Sequence, residues 1–174
     1  MKTMTVSRAA AICGGRLTQY SDAPIGRAII DSRQVQPGDM FVAYRGENVD
    51  GHRFIAKALE AGASGIVVSN HGGRVLDHCP ATAEVLPKIV DAVGGKMTIL
   101  VDGGIRSGMD IFKALALGAD AVLIGRPFVT AVYGGGEEGV QCYVQKLKAE
   151  LADTMRMCGA HTLKEIERSM DYRG

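Results

Sequence analysis

The chain has 174 residues, of which 47% are hydrophobic and 22% charged, and it carries a formal net charge of +1. That length supports one substantial core, or two small ones sharing an interface, and the scattered Lys and Arg exclude a nucleic-acid or anionic-membrane surface built on massed charge. No apolar run reaches the ~20 residues that span a bilayer and the N-terminus lacks a signal-peptide core, so a cytoplasmic location is expected. Cys13, Cys79, Cys142 and Cys158 form no CxxC or Cys/His cluster. No metal site is expected from them, and the thiols are expected to be reduced and mostly packed.

In chain order, Thr5 to Gly15 puts Val6, Ala9, Ala10 and Cys13 on one face of a short amphipathic helix closed by a glycine pair. Arg27 to Asp31 is a strand that stops at Asp31-Ser32-Arg33, and Gln36-Pro37-Gly38-Asp39 turns the chain into a second strand, Met40 to Tyr44. Asp50 is a plausible N-cap for a helix running to about Ala61, with Phe54, Ile55, Ala58 and Leu59 as its buried stripe.

Three apolar runs then each end in polar, glycine-bearing chemistry. Gly65 to Ser69 leads into Asn70-His71-Gly72-Gly73-Arg74, Thr98 to Val101 into Asp102-Gly103-Gly104-Ile105-Arg106, and Ala121 to Ile124 into Gly125-Arg126-Pro127. Short β-branched runs separated by helix-length segments read as parallel strands in βαβ units. Ligands of such sheets sit at the carboxyl ends of the strands, where these three clusters fall. Asp102 to Arg106 offers bare backbone amides and a cation beside a helix starting at about Gly108, and Gly125-Arg126 adds a second amide and cation, a pattern suited to a phosphate. The alternative is that the glycines only permit tight turns. His52, His78 and His161 have no ligand spacing and read as surface or capping residues, and Met155, Met157 and Cys158 read as core on a long C-terminal helix.

Two resemblances emerge from these motifs. Asp31-Ser32-Arg33, Pro37 to Ala43 and Gly46 to Ile55 resemble the N-terminal domain of the UDP-N-acetylmuramoyl peptide ligases, over residues 1 to about 69. That domain holds the uridine end of the ligases' substrate. No GxxxxGK[ST] loop occurs in the chain, so the ligase reaction is excluded. Asp31, Arg33 and His52 are then either turn and cap chemistry or a residual nucleotide contact.

From about residue 58 to 168, Ser69 to Asp77, Val101 to Arg106, Lys113 to Asp120, Ile124 to Phe128 and Gly134 to Gly139 resemble the FMN-dependent 2-hydroxy acid oxidases and dehydrogenases, the lactate and glycolate oxidase family. The resemblance implies that these are the last three βα units of an eight-stranded barrel. It also implies His71 as the proton acceptor, Arg74 as the partner of the substrate carboxylate, and Asp102 as a positioning group. Gly103, Gly104, Arg106, Gly125 and Arg126 would hold the phosphate of FMN. The family's flavin-side lysine, substrate tyrosines, second substrate arginine and histidine-orienting aspartate have no match, so turnover is expected to be very low or absent.

Ala58 to Ser69 fits either family as a helix closed by Gly62 and followed by a buried strand. The chain reads as a chimera, engineered or arising by gene fusion, with segments 1–64 and 65–174 sharing one core. The expected fold is α/β: a mostly parallel sheet with flanking helices, a partial (βα)8 barrel completed by a small N-terminal α/β segment. Three barrel strands cannot close alone. The Ala121–Gly125 strand is therefore an open edge able to pair with a second copy in a homodimer. Two functional classes stay open, a flavin-phosphate module acting on a small 2-hydroxy acid and a structural chimera without a ligand. A third reading keeps uridine-nucleotide binding in the N-terminal segment.

Overall fold

The computed structural model describes residues 26–44, 49–74 and 78–171. The expected helix over Thr5 to Gly15 and the loop at Arg45 to Glu47 lie outside the described residues. The chain forms β1 (Ala28–Ile29), β2 (Met40–Tyr44), α1 (Ile55–Glu60), β3 (Gly65–Ser69), α2 (Thr82–Val93), β4 (Thr98–Asp102), α3 (Gly108–Ala116), β5 (Ala121–Leu123) and α4 (Arg126–Cys158). The five strands are all parallel and lie side by side in chain order. Strands laid down in chain order step the same way at every crossover, so right-handed connections put α1, α2 and α3 on a single face.

Strand alternation then sorts the side chains. Phe41 and Ala43, Ile66 and Val68, and Ile99 and Val101 meet Ala58, Leu86, Ile89, Val93, Ala114 and Leu117 in one buried cluster. The opposite face carries Val42, Val67, Leu100 and Leu123, and its cover thins toward the edge: Val67 is 5% exposed, Leu123 39%. As expected, β5 is an edge strand and β2 flanks β3 on the other side. Among the described residues no helix is long and apolar enough to cross a membrane.

Several boundaries shift from the sequence expectation. The first strand is only Ala28–Ile29, and β5 stops at Leu123 rather than Ile124. Asp50 does cap, but it caps a 3-10 turn at Gly51–Phe54, accepting from the His52 amide at 3.1 Å before α1 begins. The long helix α4 is interrupted at Gly135 and Gly136, the latter at φ 54°. Beyond the break it returns close enough that a Cβ on Gly139 would strike the Ala131 carbonyl. Phe128 and Tyr143 meet edge to face at 5.1 Å across this doubled helix.

Met155, Met157 and Cys158 do not form a core cluster. Met155 packs against the small cluster of Phe112, Ala116, Ala160 and Ile166, but Met157 is 84% exposed and Cys158 is exposed. Helical residues two apart point to opposite sides, so Met155 and Met157 cannot share a buried face. Cys142 is exposed too, against the expectation of packed thiols.

Candidate active site

The parallel register brings the carboxyl ends of β3, β4 and β5 level, pairing Val68 with Val101 and Asp102 with Leu123. Each strand then releases the chain into a glycine-bearing loop. All eight residues singled out in the sequence line one cavity of about 380 Å3 there. His71 and Arg74 come from the loop after β3, Asp102 from the end of β4, Gly103, Gly104 and Arg106 from the loop after it, and Gly125 and Arg126 from the loop after β5.

The loop after β3 turns through a left-handed stretch, with φ of 54° at His71, 65° at Gly72 and 71° at Gly73. Glycine takes this conformation without penalty, whereas a side-chain-bearing residue is strained by it. His71 is held there by hydrogen bonds that sequence reasoning missed. The buried Ser69 hydroxyl donates to Asp102 Oδ2 at 2.6 Å and accepts from the His71 amide at 3.1 Å. Asn70 Oδ1 accepts from the Gly72 amide at 3.0 Å. Asp102 thus bears on His71 through Ser69. A serine at a strand end and an asparagine beside it are too common to mark a site, and only the register of β3 against β4 shows what they join.

The loop after β4 has two consecutive glycines at positive φ, 105° at Gly103 and 83° at Gly104. A Cβ on Gly103 would come within 2.9 Å of Asn70 Oδ1, so a bare residue there lets the two loops touch. Neither Gly104 nor Gly125 has a neighbour within 4 Å of where a Cβ would be, leaving their backbone open to the cavity. The amides of Gly103 and Gly104 enter no hydrogen bond outside the sheet ladder among the described residues.

The start of α3 does not serve as the expected dipole site. Ser107 caps it, and Asp110 Oδ2 accepts from the amides of Arg106 and Ser107 at 3.0 and 2.9 Å. Glu150 of α4 accepts from the Gly108 amide at 2.9 Å. Burial pushes Asp110 up, but the hydrogen bonds from Ser107 and Arg106 outweigh it and hold the carboxyl below its ordinary range. The helix terminus is answered by the protein's own carboxylates, and the positive charge of the cavity comes from side chains. Arg74, Arg106 and Arg126 are all exposed, and none is in an ion pair among the described residues. The Tyr143 hydroxyl donates to the Arg106 carbonyl at 2.9 Å, tying α4 to this loop, and burial raises that phenol above its ordinary value.

A second cavity, about 530 Å3, lies at the carboxyl ends of β1 and β2, lined by Ile30, Asp31, Arg33, Tyr44, Phe54 and Lys57 among others. Here Arg33 is spent on Asp31 through Nε–Oδ1 and Nη2–Oδ2 contacts of 2.9 and 2.8 Å, which holds Asp31 well below the usual carboxylate range. His52 Nδ1 lies 2.7 Å from Asp50 Oδ1, in keeping with a capping role.

Against known proteins, the FMN-dependent dehydrogenase family model matches residues 52–172. A peroxisomal (S)-2-hydroxyacid oxidase of Arabidopsis thaliana is 52% identical over 113 residues, 65% of this chain and 31% of that protein. Human 2-hydroxyacid oxidase 1 is 48% identical over 114 residues, 66% of this chain and 31% of the human protein. Among solved structures, mandelate oxidase with benzoyl-formic acid superposes with a TM-score of 0.68 at 42% identity, covering 76% of this chain and 38% of the oxidase. The chain therefore spans about a third of the length of the curated relatives it matches.

Proposed function

This chain belongs to the FMN-dependent dehydrogenase family, and on that premise we propose that its cavity is the phosphate-holding and substrate-facing part of a flavin site for small 2-hydroxy acids. One observation carries the reading: three guanidinium groups without a carboxylate partner among the described residues and three glycine-bearing loops converge on one cavity at the ends of three adjacent strands. Arg106 and Arg126, with the open backbone of Gly103, Gly104 and Gly125, hold the phosphate of FMN, since planar guanidinium forks and unobstructed amides suit its oxygens. Arg74 pairs with the substrate carboxylate. His71 takes a proton from the 2-hydroxyl or the α-carbon, a general-base task to which an imidazole is suited. Asp102 and Ser69 fix the backbone of His71 for that transfer. Bound FMN would supply the ring that accepts the hydride equivalent.

Turnover by this chain is expected to be very low. Among the described residues no lysine or tyrosine lines the cavity, and catalysis depends on a complete, preorganised set of groups. The reading is tested by adding FMN to the purified protein, removing free flavin and recording the visible spectrum. A retained flavin band with quenched fluorescence is the expected result. A colourless, folded protein would leave the structural chimera without a ligand as the better reading.

The aromatic-lined cavity at Tyr44 and Phe54 favours a second reading, a chimera whose first segment descends from a muramoyl-ligase N-terminal domain and holds a uridine nucleotide. Titration with a uridine diphosphate tests it, with perturbation of Tyr44 expected and an unchanged spectrum against it. In the same spirit the short, exposed β5 edge pairs with a second copy. Sedimentation that gives a monomer across micromolar concentrations would remove the dimer.

A further inference from the structure

Gly72 and Gly73 make the same demand on the backbone, with φ of 65° and 71°, but they face different surroundings. A Cβ on Gly73 would meet nothing within 4 Å. One on Gly72 would lie 2.7 Å from an Nη of Arg126 and 3.4 Å from its Cζ. Arg126 begins α4 just past β5, whereas Gly72 follows β3, and β4 lies between those strands. The arginine side chain therefore reaches over the end of β4 and rests its guanidinium on the loop that carries His71 and Arg74.

We infer that Gly72 is a positioning residue for Arg126: the missing side chain is the space in which the guanidinium lies, and through it the β5 cation is held in register with the His71 loop. The inference rests on the anion-cradle reading above and deepens it, because an anion bound by Arg126 is then located relative to the groups proposed to meet substrate. The obstructing atoms are the far end of a flexible side chain. A methyl at position 72 is accommodated by moving Arg126 rather than by disrupting the core, so the consequence falls on the site and not on the fold.

Gly72→Ala and Gly73→Ala impose like left-handed strain on an alanine, so their difference isolates the contact with Arg126. Proton–nitrogen correlation spectra of the arginine Nε–H groups, recorded without ligand, follow the guanidinium directly, and Arg126→Ala identifies its signal. The Arg126 signal should move in Gly72→Ala and stay in place in Gly73→Ala. In FMN titrations, Gly72→Ala should weaken binding by about tenfold, the scale of one charge-assisted hydrogen bond, while Gly73→Ala leaves it unchanged. In an Arg126→Ala background the Gly72→Ala penalty should vanish. Equal effects of the two glycine variants on the Arg126 signal, or a Gly72→Ala penalty that survives without Arg126, would overturn the assignment. An unmodified protein that binds no FMN, combined with the selective shift of the Arg126 signal, would overturn the flavin reading and support the positioning role.

Discussion

The two ends of the sheet's carboxyl edge use arginine in opposite ways. On the β1–β2 side the arginines flanking the strands are neutralised by the protein itself among the described residues. At the carboxyl end Arg33 meets Asp31 at 2.8 Å, and at the amino ends of the same two strands Arg27 meets Asp39 at 2.8 Å. At β3, β4 and β5, Arg74, Arg106 and Arg126 crowd one cavity with no such partner among the described residues, and its one carboxylate, Asp102, is bonded to Ser69. Like charges gathered without internal compensation raise the energy of a site, and a bound anion relieves it. The paired arginines hold loops together; the unpaired ones point to a ligand. The same contrast ranks the two readings, since Arg33, the guanidinium lining the second cavity, is already committed to Asp31.

The largest expected effect breaks the unpaired set. Replacing both Arg106 and Arg126 by Ala removes two charge-assisted contacts of about 1.5–3 kcal/mol each, so FMN affinity should fall by at least about 100-fold in a fluorescence titration. Arg33→Ala, which removes a paired cation from the other end, should leave that affinity unchanged. A loss of FMN binding in Arg33→Ala as large as in the double variant would erase the distinction between the ends.

The next effect concerns the link between β3 and β4. Ser69→Ala leaves a half-buried Asp102 oxygen and the His71 amide without their shared hydroxyl, at a cost of about 0.5–1.5 kcal/mol measurable by urea denaturation. Ser69→Thr retains the hydroxyl and should recover much of that loss. If Ser69→Ala denatured like the parent, the strand ends would not be coupled through this hydroxyl.

The paired arginines of the β1–β2 side should reveal themselves in acid. The side chain of Asp39 is only 5% exposed and accepts from the Arg27 guanidinium and from the amides of Gln36 and Arg27. Those bonds hold its carboxyl down at about 2. Since the folded value lies below the unfolded one of about 3.9, the stabilisation is complete above that pH and is lost as the pH falls toward 2. Asp39→Asn should therefore flatten the acid limb of a pH–stability profile in that window. It should not abolish the limb, because Asp31, Asp110, Glu150 and Glu165 are displaced in the same direction. Salt should leave the cradle variants' stability unaltered but weaken anion binding.

Most of this arrangement was legible in the sequence wherever local pattern decides it. The runs Met40 to Tyr44, Gly65 to Ser69 and Thr98 to Val101 are β-rich and bounded by turn residues, and all three became strands. Glycines beside Arg or His at three strand ends, paired at two of them, marked the cavity because both bare backbone and charge are visible in a one-letter string. What stayed hidden depends on partners distant in sequence. The occupation of the α3 terminus by Glu150 spans 42 residues, and the Ser69–Asp102 bond spans 33. The break in α4 was concealed because three glycines in a row are compatible with a weakened helix as well as with a hinge, and only the close approach of Gly139 to Ala131 decides for a fold-back.

The smallest effect probes strain at the unpaired end. Among the described residues, positive φ outside glycine occurs at His71 and His78, and His71 alone lines the cavity. A left-handed conformation costs a side-chain-bearing residue about 1–2 kcal/mol, and glycine gives back about 0.5–1 kcal/mol of that through the greater freedom of its unfolded chain. His71→Gly should thus be more stable than His71→Ala by about 0.5–1 kcal/mol in paired thermal melts, although both lack the imidazole. Strain tolerated at a residue whose side chain contributes nothing to the core has its explanation in where it holds the imidazole. Equal melting of the two variants would mean that the loop relaxes freely, and Ser69, Asp102 and Gly72 would then be holding His71 in a conformation it adopts at no cost.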